Sequence, residues 1–221
     1  MPLRPSSHVL FDLDGVLLDT ERFYTQATQA VVGRFGRTFD WSIKSRMIGR
    51  PESESARVLV DALQLPISPE EYLAERAALL ESLMPGAEPM PGAFELTRAL
   101  AARGVPMALA TSSPKRLYDL KTERHRKWFE LFRAIVLGDD PRVGRGKPAP
   151  DIFLVAAKEL GAEPGACLVV EDSPAGVAAA RAAGMQVLGV PYPGLDPAML
   201  ADANLVVASL QDVRAAELVG G

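Results

Sequence analysis

Residues 8–15 have the sequence His-Val-Leu-Phe-Asp-Leu-Asp-Gly. The apolar run at the start has the length of a buried strand, and Asp12 and Asp14 follow it without a linker. In an open parallel sheet, ligands bind beyond the carboxyl ends of the strands. Gly15 permits a sharp turn that keeps both carboxylates at this edge. The stretch therefore predicts a first strand that ends in a binding site.

Short apolar runs alternate with helical patterns through most of the chain. The helical patterns at 92–102, 151–160 and 174–183 each end at or near a glycine, which suits a helix C-terminus. Strands that alternate with helices predict an α/β fold with a doubly wound parallel sheet. The predicted strands are His8–Phe11, Val105–Ala110, Ala134–Leu137, Cys167–Val170, Gln186–Val190 and Leu205–Val207.

The interval from about Leu18 to Pro89 has helical patterns and no convincing strand. Apolar residues repeat every four positions from Phe23, which is typical of a helix. Residues 68–71, Ser-Pro-Glu-Glu, combine an N-cap, a proline at the first helical position and a capping-box glutamate. They predict a helix that continues to about Leu83. We expect two domains: a Rossmann-like catalytic core at 1–17 and 89–221, and an all-helical cap at 18–88.

The composition limits the possible partners. The chain of 221 residues is 48% hydrophobic, which is sufficient for a folded core, and its net charge of −4 gives no general attraction to nucleic acid or membranes. Cys167 is the only cysteine, so an intramolecular disulfide and a cysteine zinc site are excluded. Residues 1–7 are too short and polar for a signal peptide, and no apolar stretch has membrane-spanning length. We expect a cytoplasmic monomer without nucleic-acid or membrane partners.

The aspartates after the first strand indicate a divalent cation. Two carboxylates this close repel each other unless a cation or a shared proton lies between them. Mg²⁺ prefers oxygen ligands and is the common ion in phosphate chemistry. Taken alone, the pattern at Asp12 and Asp14 is a weak signal and is more typical of a turn, since aspartate is frequent in turns.

Three further loops strengthen the prediction. Thr111 and Ser112 follow the second apolar run and offer hydroxyl and backbone N–H groups to phosphate, although they could instead cap the helix after Pro114. Lys147 lies among glycines and a proline, where a lysine held rigidly can pair with phosphate. Residues 171–172, Glu-Asp, follow a buried strand, and helix capping would explain one of these acids but not both.

These four motifs, in this order, resemble those of the haloacid dehalogenase superfamily, and the helical insert resembles the small cap of that family. The resemblance covers nearly the whole chain. It implies a phosphatase that acts on a small phosphate ester, such as a nucleoside monophosphate or a sugar phosphate. Asp12 would attack phosphorus and form an aspartyl-phosphate, and Asp14 would act as general acid and then general base.

The same resemblance implies the remaining roles. Thr111, Ser112 and Lys147 would hold the phosphoryl oxygens. Mg²⁺ would be bound by Asp12, by the backbone carbonyl of Asp14 and by the acidic pair, of which Asp172 would be a direct ligand and Glu171 would act directly or through water.

Other basic residues receive different interpretations. The basic stretch at 121–127 is typical of a solvated helix face. Arg50 lies in a turn of the insert, at Gly-Arg-Pro, and cap loops of related enzymes reach the active site. We therefore expect Arg50 to bind substrate, with Arg46 as the second candidate.

Several alternatives stay open. A haloalkanoate dehalogenase needs neither Asp14 nor a metal, and a phosphonate hydrolase needs a cap lysine, for which the insert offers only Lys44. A sugar phosphomutase shares all four motifs and differs in keeping its phosphorylated intermediate. A phospho-acceptor signalling domain also has a phosphorylatable aspartate and a lysine, but it lacks the helical insert and a general base at Asp14.

Overall fold

The computed structural model describes residues 3–48 and 52–220. The chain forms two compact units: Met1–Asp19 together with Ala87–Gly221, and Thr20–Gly86. These limits differ by two residues at each boundary from the predicted division into core and insert. The assignment of the second unit as a cap stays a prediction.

The first unit is built on a six-stranded parallel sheet. Its strand order is β5 (Ala134–Val136), β4 (Met107–Ala110), β1 (His8–Phe11), β6 (Cys167–Glu171), β7 (Gln186–Gly189) and β8 (Leu205–Val206). Helix α8 (Asp151–Leu160) packs against β1, β4 and β5, and helix α9 (Pro174–Ala182) packs against β6 and β7. The predicted α/β class is confirmed, and each of the six predicted strands is present. The strands of the chain are β1 His8–Phe11, β2 Leu18–Asp19, β3 Glu88–Pro89, β4 Met107–Ala110, β5 Ala134–Val136, β6 Cys167–Glu171, β7 Gln186–Gly189 and β8 Leu205–Val206. The helices are α1 Glu21–Gly33, α2 Trp41–Met47, α3 Glu52–Leu63, α4 Pro69–Leu83, α5 Ala93–Ala102, α6 Lys115–Thr122, α7 Arg126–Phe129, α8 Asp151–Leu160, α9 Pro174–Ala182 and α10 Ala215–Leu218.

Strand β1 lies at the centre of the sheet, between β4 and β6. Phe11 is fully buried and is paired with Leu109 of β4 and Val170 of β6. Central parallel strands are covered on both faces, which explains why their sequences are continuous apolar runs. The register brings the residues that follow these three strands to one edge of the sheet.

Strands β2 and β3 form a separate antiparallel pair in which Leu18 lies opposite Pro89 and Asp19 opposite Glu88. The sequence prediction of no strand from about Leu18 to Pro89 is wrong at the two ends of this interval. Two residues are too few to produce an alternating pattern, so this pairing leaves no sequence signal.

The second unit consists of helices α1 to α4 and has its own apolar core. Phe23, Ala27 and Val31 are buried, as the four-residue spacing predicts. The predicted helix start at Ser68 is also confirmed. The Ser68 hydroxyl accepts a hydrogen bond from the Glu71 backbone N–H, and the Glu71 carboxylate accepts one from the Ser68 N–H.

Candidate active site

Asp12 immediately follows β1 and is nearly buried, with 6% of its surface exposed. Its backbone N–H donates to the Val170 carbonyl at 3.1 Å, which extends the pairing of β1 with β6 by one residue. Nζ of Lys147 donates to Oδ1 of Asp12 at 2.5 Å. The sheet therefore fixes the Asp12 backbone, and the lysine fixes its carboxylate.

Lys147 links three strand ends of the parallel sheet. Besides Asp12, its ammonium donates to Oε1 of Glu171 at 2.6 Å and to the Ala110 carbonyl at 3.2 Å. The side chain is only 7% exposed. A charge this deeply buried requires partners, and the two carboxylates provide them. The predicted meeting of Asp12, Lys147 and Glu171 at one edge is what the structure has.

The charges of this cluster are strongly coupled. Burial raises the pKa of Asp12 to about 7, the Lys147 ammonium opposes this shift, and Glu171 and Asp14 add to it. Burial alone would lower the pKa of Lys147, but its ion pairs with Asp12 and Glu171 reverse the effect, so this pKa is raised. Lys147 is therefore a permanent cation at neutral pH. A buried cation next to an aspartate is suited to an incoming phosphoryl group.

Glu171 is fully buried and uses both of its carboxylate oxygens. Oε1 accepts from Lys147, and Oε2 accepts from the backbone N–H of Asp172 and from the N–H and hydroxyl of Ser173, each at 3.0 Å. A Cβ at Gly176 would lie 1.8 Å from Oε1 of Glu171, so only glycine fits there. These contacts make Glu171 an organiser of the loop and of Lys147, which favours support of a metal ion through water over direct ligation.

The carboxylate of Asp172 lies against the backbone of the first loop. A Cβ at Gly15 would lie 2.1 Å from Oδ2 of Asp172, and Gly15 has a φ of +75°. Glycine is thus required for two reasons, the close approach and the left-handed backbone.

The oxygen ligands available near Asp12 can be compared with those that Mg²⁺ needs. Within 3–48 and 52–220, no three Asp, Glu, His or Cys side chains form a group able to hold a metal ion. Mg²⁺ commonly binds one or two carboxylates and completes its six ligands with water and substrate phosphate. The set implied for Asp12, Asp172 and the Asp14 carbonyl has two carboxylates and would meet this requirement without a third carboxylate, and it stays a prediction.

Thr111 and Ser112 follow β4 at the same edge. Thr111 is fully buried, and its hydroxyl accepts a hydrogen bond from the backbone N–H of Ser113 at 3.1 Å. Ser112 is exposed. The Thr111 hydroxyl accepts this bond and can still donate its hydrogen to a phosphate oxygen, and the roles of Thr111 and Ser112 in binding phosphate stay predictions.

Lys121 corrects the interpretation of the basic stretch as a solvated face. Its side chain is 0% exposed, and Nζ donates to Oδ1 of Asp14 at 2.6 Å and to the Ser113 hydroxyl at 2.7 Å. Sequence reasoning missed this contact because a lysine within a run of charged residues is usually exposed to solvent. A weak signal existed: Lys121 is four residues after Leu117, so both lie on one face of α6.

The structure describes only some of the basic residues that the sequence analysis selected in the insert. Arg50 lies outside the described residues, and Arg46 of α2 is exposed. Lys44 donates to the Thr25 hydroxyl at 3.0 Å and lies 3.3 Å from a carboxylate oxygen of Glu21. Because its ammonium is held by Thr25 and Glu21, the structure does not favour Lys44 as the imine-forming lysine of a phosphonate hydrolase. None of the helices in the described part of the chain is long and apolar enough to cross a membrane.

Comparison with known proteins gives a family match. Residues 7–184 match the family model described as haloacid dehalogenase-like hydrolase. This range contains all four loops of the candidate site, from Asp12 to Asp172.

The similarity to individual relatives covers almost the whole chain. A probable pseudouridine-5′-phosphatase of Drosophila melanogaster is 48% identical over 96% of this chain and 93% of its own. The mitochondrial (DL)-glycerol-3-phosphatase 1 of Arabidopsis thaliana is 45% identical over 96% of this chain and 72% of its own. A HAD family hydrolase of Deinococcus radiodurans, solved with bound phosphate and sodium, has a TM-score of 0.79 and 34% identity over 96% of this chain and 95% of its own.

Proposed function

Since this chain belongs to the haloacid dehalogenase-like hydrolases and is a phosphatase of that family, we propose that it hydrolyses a small phosphate monoester through an aspartyl-phosphate on Asp12. The observation that carries this proposal is the contact between Lys147 and Asp12 at the end of β1. It combines a nucleophile of fixed orientation with a permanent cation for the phosphoryl oxygens.

The proposed reaction has two steps. An oxygen of Asp12 bonds to phosphorus while the ester P–O bond breaks, and the leaving oxygen keeps the bonding pair and takes a proton from Asp14. Asp14 then removes a proton from water, whose oxygen attacks phosphorus and releases Asp12 and inorganic phosphate. Lys147 and the loop of Thr111 and Ser112 would orient the phosphoryl oxygens throughout.

We propose Mg²⁺ as the cofactor, held by Asp12, Asp172 and the Asp14 carbonyl, with Glu171 supporting it through water. The ion would supply positive charge for the phosphoryl group. Because Gly15 has no side chain, the Asp172 carboxylate lies directly against the first loop. This close approach of Asp172 to the loop of Asp12 and Asp14 supports the proposed ligand set.

A compact substrate is the proposed class, with pseudouridine 5′-phosphate tested first and glycerol 3-phosphate second. The relatives named after these two compounds support both. Discrimination between them would come from the helical insert, because the core motifs contact only the phosphate. A cytoplasmic location stays a prediction, and one relative is named as mitochondrial.

A screen of phosphorylated metabolites, with release of inorganic phosphate as the readout, tests the proposal. We expect turnover of small esters and none of phosphopeptides. The same screen addresses the phosphomutase alternative: a mutase would convert a sugar phosphate into its isomer without releasing phosphate. A phospho-acceptor domain would instead accumulate a long-lived phosphorylated Asp12.

A further inference from the structure

Lys121, Ser113 and Asp14 form a closed triangle of hydrogen bonds next to the candidate nucleophile. Lys121 donates to Oδ1 of Asp14 at 2.6 Å, the Ser113 hydroxyl donates to Oδ2 of Asp14 at 2.8 Å, and Lys121 and Ser113 are 2.7 Å apart. Both oxygens of Asp14 are therefore held, each by a different donor. The Asp14 side chain is 21% exposed, so part of it stays accessible to solvent.

The burial of Lys121 is the unusual part of this arrangement. Lysine is among the residues least often fully buried, and an ammonium removed from water loses favourable hydration. Replacement of a buried ion pair by apolar residues often leaves stability unchanged or improves it. Stability alone therefore gives no reason for a lysine at this position, and its contact with Asp14 points to a functional one.

We propose that Lys121, together with Ser113, is a positioning residue that fixes the Asp14 carboxylate for proton transfer to and from the reacting oxygens. This inference rests on the function proposed above, in which Asp14 protonates the leaving oxygen and then deprotonates water. Lys121 contacts Asp14 and has no exposed surface, so it acts through Asp14 and does not itself meet the substrate. A proton donor that is free to rotate loses much of its effect, because misplacement by about 1 Å can cost on the order of 100-fold in rate.

The leaving group provides a direct test. Glycerol 3-phosphate has an alkyl leaving group that needs a proton, whereas p-nitrophenyl phosphate releases a stable phenolate without one. For Lys121→Met we expect kcat/KM to fall about 10–100-fold on glycerol 3-phosphate, and only a few-fold on p-nitrophenyl phosphate. Both values report the step in which the ester bond breaks, so the difference isolates proton donation.

Two residues of the same helix provide controls. Lys115 of α6 is 68% exposed and pairs with Asp119, so Lys115→Met makes the same chemical change on the surface. Thr122 is buried beside Lys121, and its hydroxyl donates to the Tyr118 carbonyl, so Thr122→Val reports general damage to this helix. Neither variant should change the ratio of the two kcat/KM values.

Lys121→Met leaves Asp14 without its cation and could unfold the protein. In that case Ser113→Ala, which removes the second donor without a buried charge, is measured on the same two esters. The inference is supported if the alkyl ester is affected selectively, and equal losses on both esters would overturn it. If the wild type hydrolysed neither ester and no other monoester in the screen, the proposed function itself would fail, and this inference with it.

Discussion

Nζ of Lys147 lies 2.5 Å from Oδ1 of Asp12, although 135 positions separate the two residues in the chain. The contact forms because the loop after β5 returns to the end of β1 at the edge of the parallel sheet. It holds one oxygen of the carboxylate and thereby fixes the direction of the other. Asp12 is thus oriented before any substrate binds, as its proposed attack on phosphorus would require.

We expect Asp12→Asn to fold normally and to retain far less than a tenth of wild-type turnover, because the amide cannot form the bond to phosphorus. Asp14→Asn should lose activity on alkyl phosphates to a similar degree. Phosphate release by the purified variants measures both effects. Asp119→Asn, an exposed carboxylate of α6, is the control and should be fully active. Retention of a tenth of the activity by Asp12→Asn would contradict a covalent mechanism.

The pKa of Asp12 predicts how the stability of the metal-free protein depends on pH. Burial raises this pKa from 3.8 to about 7, so the folded state binds the proton more tightly than the unfolded chain does. The resulting stabilisation is complete below about pH 4 and is lost as the pH rises through 7. In EDTA at pH 8, Asp12→Asn should therefore have a higher melting temperature than the wild type, and the difference should shrink towards pH 4.

The same melting curves contain the control. Asp119→Asn removes an exposed charge and should follow the wild type within a degree or so, since surface ion pairs contribute little. An Asp12→Asn variant that melts below the wild type at pH 8 would show that the ion pair with Lys147 outweighs the burial of the carboxylate.

Activity should require Mg²⁺ and be inhibited by Ca²⁺. Calcium accepts more ligands at longer distances and would loosen the geometry between Asp12 and phosphorus. Turnover after exhaustive chelation, followed by titration with each ion, measures the requirement. Full phosphatase activity without divalent ions would contradict Mg²⁺ as the cofactor.

Arg50→Ala should lower kcat/KM for the best substrate about 10–100-fold, which corresponds to one charge-assisted hydrogen bond. The effect on p-nitrophenyl phosphate should be much smaller, because this ester lacks the rest of the substrate. Arg46→Ala is the companion variant, since Arg46 is the second candidate of the insert. Equal losses on both esters would assign Arg50 to folding or to movement of the insert.

The sequence was sufficient for the parallel sheet and for the loops at its edge. Buried strands are continuous apolar runs, and the ends of neighbouring parallel strands must meet, so Asp12, Lys147 and Glu171 could be brought together without a structure. Side-chain pairing across these loops could not be predicted in the same way. Glutamate is a residue type that commonly binds metal ions, yet the carboxylate oxygens of Glu171 accept hydrogen bonds from Lys147 and from the backbone of its own loop.

Lys121 shows the same limit more sharply. Whether a lysine is solvated or buried depends on what packs against its helix. The partner of Lys121 is Asp14, 107 positions away in the chain, so the neighbouring sequence does not indicate the contact. The β2–β3 pair was missed for a related reason, because each strand is only two residues long and its pairing depends on a segment far away in the chain.

That small pair has a consequence for how such proteins diversify. Asp19 and Glu88 are paired residues, so the chain leaves the core and returns to it at almost the same point. An intervening segment whose two ends are adjacent can be lengthened, shortened or exchanged while the parallel sheet and the edge that carries Asp12 keep their geometry. If the insert selects the substrate, as proposed above, substrate preference would change through substitution of this one segment, independently of the residues at the sheet edge.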